Sequence, residues 1–123
     1  GLFQQQLRIA PDDVRPRYQL ALLYGKTEDS ALRDPDRAIE YLRAVLARED
    51  QDISARFLLG QLLVEGGELE NAREEYLRIQ TTLGDLHEKG VVPGAARDNP
   101  RFQQARANFE TLDACLSGGA CAF

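Results

Sequence analysis

The chain has no tryptophan and no methionine, one histidine, two cysteines and aromatic residues at only 7%. No apolar run approaches the roughly 18 residues that a membrane-spanning helix needs, and no leader of charged then apolar residues stands at the start, so no membrane insertion is expected. The first residue is glycine, and the absence of methionine suggests a trimmed piece whose missing N-terminus held any targeting signal. Basic residues are outnumbered, 15 against 20 acidic ones, for a net charge of −5. A phosphate backbone is held by clustered Lys and Arg, so a nucleic-acid partner is not expected.

The same scarcity excludes most chemistry. There is no Gly-x-Ser-x-Gly and no phosphate-cradling glycine loop, and Gly66-Gly67-Glu68 reads as a turn between helices. His87, the sole histidine, lies in a polar, loop-like segment and is read as solvated. Together with Cys115 and Cys121 it would give a metal only three ligands from distant segments, so no metal and no cofactor are expected. Glu65, Glu68, Glu70, Glu74 and Glu75 cluster, and mixed charge on a helix is ordinarily a solvated face. The chain is therefore read as a non-enzyme.

What is present is helical periodicity. In ARFLLGQLLVEGGELENAREEYLRIQTTL, residues 55–83, Leu59, Leu62 and Leu63 mark one apolar face, and Leu69, Ala72, Tyr76 and Ile79 mark a second. Gly66-Gly67 separates them, because glycine takes a sharp turn without steric cost. Such a helical hairpin cannot bury its own apolar face and needs neighbours. They are in the sequence: Ala38 and Ala72 stand 34 residues apart, each followed four residues later by a bulky side chain, Leu42 and Tyr76.

On these residues the chain resembles the tetratricopeptide repeat family, whose period is about 34 residues with the pattern W-x2-L-G-x2-Y…A-x3-F…P. Leu59-Gly60 takes the Leu-Gly pair, Leu63 the tyrosine slot, Ala72 the alanine slot and Tyr76 the aromatic slot. Arg56 departs at the tryptophan slot, and Gly84 stands where the proline would be. The resemblance implies an all-α fold: a short right-handed α-solenoid of helix hairpins with a C-terminal capping helix. With 123 residues it is one domain by size.

Within that frame residues 1–13 read as the end of a preceding half-repeat, with Phe3 in the aromatic slot and Pro11 in the closing-proline slot. Residues 14–50 form repeat one, Leu20-Ala21 taking the Leu-Gly pair and Tyr24 the tyrosine slot. Its period is five residues too long, and the surplus falls in GKTEDSALRDP, residues 25–35, as a long interhelical loop. Asp34-Pro35 restarts the helix as a cap followed by proline in the first turn. Residues 51–84 form repeat two. Residues 85–99 read as a loop, since Gly90, Pro93 and Gly94 oppose a helix. Asn99-Pro100 opens the capping helix, 100–116, and 117–123 is a tail.

The resemblance implies that first helices line a concave groove for another protein or a peptide segment. In repeat one it offers Arg15, Tyr18, Gln19, Leu22, Gly25 and Lys26; in repeat two it offers Ser54, Phe57, Leu58, Gln61, Val64 and Glu65. Tyr18 and Leu22 stand where chaperone-binding members hold a carboxylate with Lys and Asn, and nothing at Leu58 supplies the second Asn. An apolar or mixed segment is the expected ligand, with a helix laid in the groove as one mode. Exposed helix ends also offer a route to a homodimer. Cys115 and Cys121 flank a flexible Leu-Ser-Gly-Gly-Ala segment and are a candidate disulfide, against two unrelated thiols in a tail.

The readings are thus a binding module or scaffold, a structural segment of a longer solenoid, and a thiol-dependent redox accessory using Cys115 and Cys121. The style of DPDRAIEYLRAVLARED looks bacterial, and the resemblance extends to periplasmic or membrane-tethered arms of machineries that assemble envelope or cytochrome complexes.

Overall fold

The computed structural model describes residues 14–26 and 34–118, with side chains from Gln19 onward. The half-repeat expected over 1–13, the interhelical loop at 27–33 and Cys121 lie outside the described residues. Among those described there are five α-helices and no strand: α1 (Val14–Lys26), α2 (Pro35–Arg48), α3 (Ile53–Glu65), α4 (Leu69–Glu88) and α5 (Pro100–Leu116), with a 3-10 turn, Ala96–Asp98, before α5. The fold class is all-α. The chain divides into two compact units, Gly1–Leu62 and Leu63–Phe123, and the boundary falls inside α3.

In the first unit α1 and α2 pack along each other. Asp34 caps α2 by accepting a hydrogen bond from the Arg37 amide at 3.1 Å, and Pro35 follows, where a missing N–H costs nothing. Asp52 caps α3 in the same way through the Ala55 amide. The buried side chains are Leu20 and Ala21 of α1, Ala38, Leu42 and Val45 of α2, and Ile53, Ala55, Leu58, Leu59 and Leu62 of α3. Each fully buried leucine contributes about 1.5–3 kcal/mol. Arg56, in the family's tryptophan slot, is also buried, and its Nη2 donates to the Asp50 carbonyl at 2.8 Å. Its alkyl stem substitutes for the missing indole while the head closes the turn before α3.

In the second unit the end of α3 leads into α4 through a glycine-terminated turn. The Glu68 amide bonds the Leu63 carbonyl, the Gly67 amide bonds that of Val64, and Gly67 has φ +78°. These paired bonds satisfy the last carbonyls of α3, and the left-handed backbone they require is one that glycine adopts freely. α4 buries Ala72, Tyr76, Ile79 and Leu83, at helical spacing, and packs on α5, which buries Ala105 and Leu112. Arg73 and Asp113 join the two helices at 2.9 Å. Asn108 hydrogen-bonds the Tyr76 hydroxyl. Glu75 corrects the reading of a solvated acidic face: it is buried, at 8% exposure, on the packed side of α4.

The segment expected as a loop from residue 85 is helical to Glu88. Gly84 does not stop α4, because a glycine inside a helix costs about 1 kcal/mol but breaks nothing by itself. The stop is Gly90, at φ +75°, where the Val91 amide bonds the Leu86 carbonyl and the Gly90 amide that of His87. His87 therefore sits in the last turn of a helix, half-buried, and not free in solvent. Its Nδ1 lies 3.0 Å from the Gly94 carbonyl and its Nε2 3.1 Å from Asn99 Nδ2. A carbonyl only accepts, so Nδ1 carries the proton and Nε2 accepts from Asn99. Asn99 Oδ1 in turn accepts from the Arg101 amide at 2.9 Å and caps α5. One imidazole thus fastens the end of α4 to the loop and, through Asn99, to the start of α5. His87→Ala and Asn99→Ala are each expected to cost about 1–2 kcal/mol, with a double mutant less destabilised than their sum. Urea unfolding of the four proteins of the cycle measures the coupling.

Candidate functional site

α3 is buried over most of its circumference. The residues of α3 that are not buried are Ser54, Phe57, Gln61, Val64 and Glu65, a single stripe at helical spacing. Within the first unit, Ser54 and Phe57 are half-buried and Gln61 is exposed. On α1, Gln19 and Lys26 are exposed and Leu22 is half-buried. Gln19, Leu22 and Lys26 thus repeat the spacing of Ser54, Phe57 and Gln61, each row reading polar, apolar, polar.

The two rows are tied by one hydrogen bond. Lys26 Nζ donates to Gln61 Oε1 at 2.6 Å. The approach rests on Gly25: a Cβ built there would stand 3.0 Å from Leu62 Cδ1 and 3.2 Å from the Ala38 Cβ. Leu62 fills the space that a side chain at residue 25 would occupy. By helix periodicity Leu22 lies one turn before Lys26, and Phe57 one turn before Gln61, on the same faces.

Two groove positions are corrected. Leu58 is 4% exposed and belongs to the core, because α3 is covered on more than one side and the family register does not report that. Gly25 is buried in helix α1, under Leu62 and Ala38, and neither faces outward nor starts the interhelical loop. Val64 is half-buried and Glu65 exposed, both in the second unit. The side chains of Arg15 and Tyr18 lie outside the described residues. Cys115, half-buried in the last turn of α5, is disulfide-bonded.

The sequence reading missed a joint between α1 and α2. Tyr24 stacks on Tyr41 with ring centroids 6.0 Å apart, and the Arg37 guanidinium lies 5.1 Å from the Tyr24 ring centroid. Arg37 also reaches Asp34 at 3.7 Å, and a hydrogen bond to the Tyr24 hydroxyl raises its pKa. The Asp34 amide donates to the Tyr24 carbonyl at 2.8 Å, fixing the start of α2 against the end of α1. The signal was available in part: Arg37 and Tyr41 are four residues apart on one helix face.

Helix hairpins in which small alanines seat bulky neighbours, with an outward row on the first helices, define a helical repeat protein. Residues 27–85 match the family model of the tetratricopeptide repeat, which supports a protein of that family. No curated protein and no solved structure matches the chain. The repeat is a protein–protein interaction unit and in general non-catalytic. Among the described residues no helix is long and apolar enough to cross a membrane.

Proposed function

We propose that this chain binds a segment of another protein along the outward rows of α1 and α3, as a non-catalytic interaction module. The observation that carries the reading is the narrow accessible stripe on an otherwise buried α3, whose half-buried Phe57 holds the same place in its row as half-buried Leu22 does on α1. A helix that spends nearly all its surface on the core and keeps a half-exposed phenylalanine between polar residues offers a partner an apolar anchor with a polar rim. A peptide laid along the rows would bury Leu22 and Phe57 and meet Gln19, Ser54, Lys26 and Gln61 at the edges.

The test is capture from a lysate of the source organism, with the full chain as bait and Leu22→Ala/Phe57→Ala as the paired control. A specific partner is expected on the first bait, with at least a tenfold loss on the second, since truncating a buried aromatic anchor commonly removes more than 1.4 kcal/mol of binding. Equal capture by both baits, each folded by circular dichroism, would move the site away from these rows.

A further inference from the structure

We propose that this chain pairs with a second copy of itself through α5, antiparallel and about a two-fold axis at Phe109, with Arg106 of each copy facing Asp113 of the other. The pairing uses the second unit alone and is independent of the binding role proposed for α1 and α3.

α5 has apolar side chains beyond those its own core uses. Ala105 and Leu112 are buried on the side packed against α4. Phe102, Phe109 and Leu116, seven residues apart, are half-buried along one edge of that side. Arg106 and Asp113 fall between them, so residues 102, 106, 109, 113 and 116 run at alternating steps of four and three, the repeat by which two helices pack side by side. α4 covers this edge only in part. Arg73 bonds Asp113 Oδ1 at 2.9 Å, which sets the Arg73 edge of α4 beside it, and Leu77, one turn on from Arg73, is 41% exposed. The charges on the edge select its occupant and the direction of pairing. A two-fold axis through Phe109 sets residues at equal distances before and after it opposite each other. Phe102 then meets Leu116 of the second copy, and the two Phe109 rings meet on the axis. Arg106, three residues before Phe109, and Asp113, four after it, come within one residue of facing each other, twice over. Asp113 has room for this second cation, since its side chain is 51% exposed and Arg73 is bonded to Oδ1. Glu110, exposed one turn after Arg106, lies at the rim, where the same axis brings it towards Arg106 of the second copy. Arg73, Arg106, Glu110 and Asp113 carry two charges of each sign, so together they do not repel a copy of themselves. A parallel pairing would instead set Arg106 against Arg106 and Asp113 against Asp113, and like charges so placed are costly. The edge is thus complementary to itself in one orientation.

The test is sedimentation velocity of the full chain over roughly a hundredfold range of concentration, since association follows mass action. A monomer–dimer equilibrium is expected. Arg106→Glu and Asp113→Lys should each weaken the dimer about tenfold or more, because each puts like charges together. Mixed in equal amounts, the two variants should associate as strongly as the wild type, because every altered charge then faces its opposite. A purely structural role of either residue would give no such rescue. Asp113→Lys also loses the bond to Arg73, so circular dichroism checks its fold. If it unfolds, p-benzoylphenylalanine in place of Phe109 answers the question, since light should join α5 to α5 between unlabelled and isotope-labelled chains. A monomer at every concentration, a dimer unmoved by Arg106→Glu, a folded mixture that does not associate, or crosslinks that avoid α5 would each overturn the pairing.

Discussion

Replacing Tyr76 by alanine should lower stability by about 3–5 kcal/mol, the range for removing a fully buried aromatic side chain. Tyr76 is 1% exposed and heads the largest fully buried side chains. It lies on the face of α4 that packs against α5, with Ala72 one turn before it and Ile79 and Leu83 after it. The collapse of so large a void is limited by helix backbones on either side, which places the cost toward the upper part of the range. Tyr76→Phe is the informative control. It keeps the ring, removes the hydroxyl, and leaves Asn108 without that hydrogen bond, for about 1 kcal/mol. The two variants together separate packing from hydrogen bonding.

The same residue gives a pH dependence with a definite sign. Burial pushes the Tyr76 hydroxyl above the ordinary value of 10.0, and the Asn108 hydrogen bond opposes this to a lesser degree. The neutral form is the one the fold accommodates, so the folded pKa exceeds the unfolded one. Its contribution is fully present below pH about 10 and is lost as pH rises through the folded value. Wild type should therefore lose stability on the alkaline side more steeply than Tyr76→Phe in urea titrations between pH 9 and 11. Parallel curves would place the hydroxyl in contact with solvent.

What could be read from the sequence was local. Asp34-Pro35 and Asn99-Pro100 announce helix starts because the capping oxygen and the proline act within three residues. Gly66-Gly67 announces a turn because Gly67 supplies the left-handed backbone that the paired bonds to Leu63 and Val64 need. Ala72 and Tyr76 carry a helical period, and all of this sufficed for an all-α chain of hairpins. What could not be read depends on partners remote in sequence. Gly84 and Gly90 look alike as letters, yet only Gly90 has the left-handed backbone and the bonds to Leu86 and His87 that end α4. His87 looks like a solvated loop residue until Gly94 and Asn99 come within hydrogen-bond distance. Leu58 and Phe57 are neighbours of similar hydropathy, and whether α3 is covered on one side or on several decides which of them is core. Gly25 reads as the start of a loop because glycine ordinarily marks one. Here it marks a place where a leucine from another helix must fit.

That leucine carries the second large effect. Leu62→Ala should cost about 2–5 kcal/mol, since the side chain is 1% exposed and sits where α1, α2 and α3 come together at Gly25 and Ala38. The reverse change, Gly25→Val, inserts volume where even a Cβ would lie 3.0 Å from Leu62 Cδ1, and overpacking of this kind costs about 1–3 kcal/mol. The decisive protein is Gly25→Ala/Leu62→Ala. In the wild-type background the added methyl is crowded by Leu62, which offsets the gain of about 1 kcal/mol that alanine brings over glycine inside a helix. In the Leu62→Ala background the crowding is gone, the methyl occupies part of the void, and the gain is realised. The double mutant should therefore be more stable than Leu62→Ala alone, with a coupling of about 0.5–3 kcal/mol between the two sites. Equal effects of Gly25→Ala in both backgrounds would mean that contact with Leu62 is not what requires glycine there. The consequence reaches the rows proposed to bind a partner, because Gly25 precedes Lys26 and Leu62 follows Gln61. The close approach of one pair brings the other within 2.6 Å. A Gly25→Val chain that still folds should hold its helices farther apart and break the Lys26–Gln61 bond.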